Sequence, residues 1–99
     1  MQKGISQLAR LRELLFEMEQ DLGLADLPQN ERDVFYAMTA LVEDGHEELR
    51  TESVKQHPLV AEMPPATFHR ALKTLLEREF ILRTPRRKVG AFVLNNDSV

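Results

Sequence analysis

The chain has 99 residues, 42% of them apolar and 29% charged, with no cysteine and a formal net charge of −3. This composition fits one folded domain with a modest core and disfavours global disorder. It excludes a disulfide framework and thiolate chemistry. No run approaches the roughly 18 apolar residues of a membrane span, and MQKGISQLARLRELL is too charged for a secretory leader, so a cytoplasmic protein is expected. The small net charge hides an asymmetry: residues 1–63 carry 6 Lys/Arg against 13 Asp/Glu (net −7), and residues 64–99 carry 7 against 3 (net +4). One end of such a molecule attracts anions while the rest resists nonspecific adhesion.

In chain order, residues 5–22 repeat apolar side chains at heptad spacing. Leu8, Leu11, Leu15, Met18 and Leu22 form an a/d stripe, and Ile5 and Leu14 widen it. The pattern predicts a helix that either contacts a second copy of the chain or packs on its own domain. Gly23 ends it. A second helix follows Pro28, with Glu31 and Asp33 in its first turns and Val34, Phe35, Met38, Leu41 and Val42 as its buried face. Asp44-Gly45 stops that helix, and Leu49-Arg50 reads as a brief extended rung.

Thr51 is placed to cap a short helix, TESVKQH, that Pro58 terminates. LVAEM reads as an irregular turn carrying Leu59, Val60 and Met63 inward. With Pro64 as cap, Met63 and Phe68 take the N′ and N4 positions of a hydrophobic staple. The segment from Pro65 to about Glu79 is then a helix with Phe68, Leu72 and Leu75 on one face, flanked by Ala71 and Leu76. Its other side carries Thr67, His69, Arg70 and Lys73. Ile81-Leu82 and Ala91 to Leu94 bracket PRRKVG as a hairpin with a long loop. Asn95 to Val99 reads as a frayed tail.

The predicted fold class is α+β, mainly α with a small β-wing. The order helix, helix, brief strand, short helix, helix, hairpin is that of a winged helix-turn-helix. Across residues 27–94, LPQNERDVFYAM through PPATFHRALKTLLEREFILRTPRRKVGAFVL resembles the winged-helix domain of bacterial transcription regulators of the MarR-like class. The resemblance implies a small α/β domain that binds double-stranded DNA as a homodimer, with helices outside that domain supplying the dimer contact. It assigns a recognition helix at about 65–79, with Thr67, His69, Arg70 and Lys73 facing the major groove. A basic wing at 83–90 would put Arg83, Arg86, Arg87 and Lys88 on phosphates or in the minor groove.

Phe80 stands where family members often have glycine, and the HPLVAEMPP connector is longer than a tight turn. The expected division is 1–24 as N-terminal helix and dimerisation element, 25–95 as winged-helix domain and 96–99 as flexible tail. The dimer contact would use Ile5, Leu8, Leu11, Leu15, Met18 and Leu22. A winged helix serving as a protein–protein adaptor is the alternative, because fold does not fix function.

Catalysis is not expected. His46, His57 and His69 are the only histidines, none in a metalloprotease arrangement. The four glycines are scattered rather than gathered in a phosphate-binding loop, and no activated nucleophile stands out. Neither a metal nor a cofactor is expected, and no small-molecule effector can be named.

Overall fold

The computed structural model describes residues 2–84 and 90–95. Their order is α1 (Gln2–Asp21), α2 (Gln29–Glu43), β1 (Leu49–Arg50), α3 (Thr51–Lys55), α4 (Pro65–Glu77), β2 (Ile81–Arg83) and β3 (Ala91–Leu94). The architecture is mainly helical with a small antiparallel sheet of strand order β1-β3-β2. Leu49 pairs with Phe92, and Ile81, Leu82 and Arg83 pair with Leu94, Val93 and Phe92. The central strand therefore comes last in sequence, between two strands too short to persist alone. Helices supply the missing stability. Phe68, Ala71, Leu72 and Leu75 of α4 join Val34, Phe35, Ala37 and Met38 of α2 in one core with Leu49, Ile81 and Phe92 of the sheet.

Helix ends follow a shared chemistry. At the close of α1, Gly23 donates to the Gln20 carbonyl and Leu24 to that of Glu19. After α2, Gly45 and His46 donate to Val42 and Leu41 in the same pattern. Both glycines have positive φ, the left-handed conformation this termination needs. After α4 the position falls to Glu79, with φ 63°. Glu79 donates to Leu76 and Phe80 to Leu75, so the turn forms without glycine. Phe80 then lands against the core, its ring edge-on to Phe35 at 5.3 Å. A left-handed non-glycine residue costs on the order of 1 kcal/mol, so Glu79→Gly is expected to raise stability by about 0.5–1 kcal/mol in urea unfolding.

Several side chains depart from the sequence reading. Val42 is 37% exposed and Leu59 48% exposed, whereas Val60 is buried and Met63 partly so. Pro58 and the turns after it aim Val60 inward, which leaves its neighbour outside. Thr51 does not cap α3: Arg50 holds the cap position. The Thr51 amide and hydroxyl both donate to the Gly90 carbonyl instead, at 3.0 and 3.2 Å. Helix α4 ends at Glu77, two residues early. Asn95 is not frayed, because its amide donates to Phe80 and its side chain to Glu79. Residues 96–99 lie outside the described residues.

Helix α1 stands apart. Its 20 residues span about 30 Å, and the molecule measures 50 × 27 × 26 Å. Ile5, Leu8, Leu11, Leu14, Leu15, Phe16, Met18 and Leu22 are all between 41% and 66% exposed. Of the two expectations for this helix, packing along its own domain is not what is observed. Its attachment is confined to the C-terminal end, where Leu24 and Leu27 enter the core and Glu19 is only 4% exposed. Glu19 accepts hydrogen bonds from Arg32 Nη1 at 3.0 Å and from the Tyr36 hydroxyl. Gln29 accepts from the other Arg32 nitrogen at 3.2 Å.

This latch has a pH signature. Burial, together with the hydrogen bond to Glu19, pushes the Tyr36 hydroxyl up to about 12. The folded state therefore prefers the neutral phenol. The resulting stabilisation is complete below the ordinary tyrosine value near pH 10 and fades as the pH climbs through about 12. Tyr36→Phe is expected to flatten the loss of stability over that window, as read by urea unfolding at stepped alkaline pH.

Candidate nucleic-acid interface

Amphipathicity builds the site. Burying Phe68, Ala71, Leu72 and Leu75 turns the opposite side of α4 to solvent, and His69, Arg70 and Lys73 are all exposed there, with Thr67 half-buried at its margin. Pro64 and Pro65 start the helix with preset φ and no N–H to satisfy. No side chain caps its first turn, so the partial positive charge of that helix end is left for an outside acceptor. Arg70 donates through Nη2 to Thr67 Oγ1 at 3.3 Å, which holds its guanidinium near the same turn.

The sheet brings a further cation to this side. A cleft of about 380 Å3 between α4 and the hairpin is lined by Thr51, His69, Lys73, Arg83, Gly90 and Phe92, among others. His69, Lys73 and Arg83 thus share one concavity although 14 positions separate the first from the last. The Arg83 guanidinium lies 5.7 Å from the centroid of the Phe92 ring, its partner across the ladder, which steadies the long side chain. The His69 ring meets Phe68 edge-on at 5.4 Å.

Among the described residues, no carboxylate neutralises this surface. The ion pairs seen among the described residues are Arg32–Glu19 and Arg78–Asp26. The i,i+4 spacing of Lys73 and Glu77 would permit a third, but it does not form. Arg70, Lys73 and Arg83 therefore present charge that no carboxylate of the described residues holds within ion-pair distance.

Arg86, Arg87 and Lys88 lie outside the described residues. The hairpin stem that carries them is described: Thr84 donates to Ala91 at 3.1 Å. Gly90, at φ 102°, returns the chain to β3. An added Cβ there would sit 3.5 Å from Thr51 Oγ1 in a conformation that L side chains rarely adopt.

Sequence reading missed Lys55. Its Nζ lies 5.5 Å from the Phe68 ring centroid, beside the first turn of α4, at a shallow cleft of about 270 Å3 that Val60, Met63 and Pro65 also line. A cation in a five-residue helix carries no local signal; only the packing of α3 against Phe68 brings it here. Among the described residues no cluster of three His, Asp or Glu side chains could hold a metal ion, and no helix is long and apolar enough to cross a membrane.

Comparison with known proteins leaves the function to this geometry. No protein-family model, no curated protein and no solved structure matches the chain.

Proposed function

We propose that the chain is a winged helix-turn-helix transcription regulator that binds double-stranded DNA sequence-specifically as a homodimer. One observation carries the reading: the exposed cationic side of α4 and Arg83 of the hairpin border a single cleft, with no carboxylate of the described residues within ion-pair distance of Arg70, Lys73 or Arg83. Element order and strand order β1-β3-β2 support it, as does the +4 balance of residues 64–99. In this reading α4 enters the major groove. Thr67, His69, Arg70 and Lys73 approach base edges, and Arg83, Arg86, Arg87 and Lys88 contact phosphates or the minor groove. The exposed α1 stripe, Ile5 to Leu22, supplies the dimer contact.

The test is titration of labelled duplexes with the purified full chain at several salt concentrations. Binding should weaken along a straight line of log affinity against log salt, by roughly 0.9 unit of slope per phosphate neutralised. Alanine at Arg86, Arg87 and Lys88 together should weaken all duplexes alike and flatten the slope. Unchanged affinity and slope in that variant would remove the wing from the interface. Absence of binding to any member of a random duplex pool at low salt would remove the function.

A further inference from the structure

The charge of α1 is ordered in blocks. Residues 2–12 contain Lys3, Arg10 and Arg12 and no acid; residues 13–21 contain Glu13, Glu17, Glu19 and Asp21 and no base. This order opposes the helix's own dipole, which favours acids near the N-terminus and bases near the C-terminus. Neither preference is met, since there is no acid in the first turn and no base in the last. The body of the same molecule does not account for it either, because only Glu19 of this set is buried in a contact with α2. A partner whose charge runs in the reverse sense does.

We infer that α1 pairs with the α1 of a second copy in antiparallel orientation, in the register that sets Leu8 opposite the partner's Met18 and Leu11 opposite the partner's Leu15. This deepens the homodimeric part of the function proposed above and does not depend on DNA. Antiparallel pairing lays the basic half of each helix along the acidic half of the other; parallel pairing would stack like on like. The heptad stripe fixes the register. Matching a positions to d positions with overlap of residues 4–22 leaves one arrangement, an apolar seam about 28 Å long. Gly4 then faces the partner's Leu22, and the absence of a side chain leaves room where the second body begins.

The available area is sufficient. The seven large apolar side chains on or beside the seam, all of that exposed set but Phe16 and each exposed by half or so, offer on the order of 700 Å2 per protomer, close to what a standard interface takes from each side. A monomer rarely leaves a patch of that size in water.

Absence of cysteine makes the test clean. A tagged Leu8→Cys protein is mixed with an untagged Met18→Cys protein and oxidised. A covalent heterodimer is expected, with the Leu8→Cys protein alone remaining uncrosslinked. Self-crosslinking of Leu8→Cys would overturn the proposed pairing, because in that register the position lies ten residues, about 15 Å, from its own copy. In sedimentation, the Leu11→Asp/Leu15→Asp protein is expected to be a monomer that retains cooperative unfolding, since neither side chain belongs to the core. A dimer persisting in that variant, or a wild-type chain that is monomeric at tens of micromolar, would overturn the pairing. Nonspecific duplex binding by the monomeric variant is a separate readout. Its loss in wild type and variant alike would strike the DNA reading and leave the helix pairing intact.

Discussion

Alanine at Arg70, Lys73 and Arg83 together is expected to cut affinity for duplex DNA by about 10²–10³-fold at moderate salt. Lys73 and Arg83 line one cleft, and Arg70 is exposed on the same side of α4. No carboxylate of the described residues lies at ion-pair distance from any of the three, so their removal relieves no ion pair among those residues. Stability should hardly change, because exposed substitutions away from caps and cores usually move it by less than about 0.5 kcal/mol. Two readouts separate the roles within the triple. If all three reach phosphates, the log–log salt slope should fall by about 3 units. If Arg70 reads a base edge, Arg70→Ala alone should reduce discrimination between preferred and scrambled duplexes by about 1–3 kcal/mol while leaving nonspecific binding nearly as it was. Wild-type affinity in the triple variant would place the DNA contact elsewhere on the molecule.

The second large effect is expected at Phe68. The ring is buried in the core, at the N4 position of α4, and it supports both His69 and Lys55 from below. Removing it should cost about 3–5 kcal/mol through lost burial and the cavity left behind. Total stability of a small domain is only about 5–15 kcal/mol, so Phe68→Ala should lower the melting temperature by more than about 12 °C. Leu59→Ala is the control. That leucine stands half in water, and its truncation should be within about 0.5 kcal/mol of neutral. Equal effects of the two substitutions would refute the partition between core and surface in the connector.

The connector also shows where sequence reading stops. Periodicity located α2 and α4 well because each keeps one apolar stripe over several turns, and Phe68, Leu72 and Leu75 are buried as their spacing implies. In LVAEM no period exists, and Leu59 and Val60 could not be told apart by hydrophobicity. Their fates were settled by the bend at Pro58 and by Val60 reaching α4. Thr51 was misread for a related reason. Its hydroxyl had a local use as a cap, but a carbonyl 39 positions away proved the acceptor. Lys55 beside Phe68 and the Glu19–Arg32–Tyr36 latch are likewise long-range meetings with no mark in any single window.

The candidate interface was more legible than its surroundings. An amphipathic helix declares its polar side as soon as its buried side is known, so His69, Arg70 and Lys73 could be assigned to one surface. The register of β2 on β3 was not readable, yet it is what sets Arg83 across Phe92 and into the cleft with His69 and Lys73. Phe80 looked like a departure where glycine was expected. The left-handed backbone was needed one residue earlier, and Glu79 adopts it at a strain cost.

The Glu19 latch makes the junction between α1 and the body a fixed protractor rather than a swivel. In the proposed dimer, with the paired helices as axle, its setting would dictate how far apart, and at what tilt, the two α4 helices meet a duplex. One residue inserted between Met18 and Glu19 would turn each head by about 100° and advance it by about 1.5 Å. If the proposed DNA binding holds, such an insertion would change which operator spacing is favoured while every residue proposed to touch the bases stayed the same.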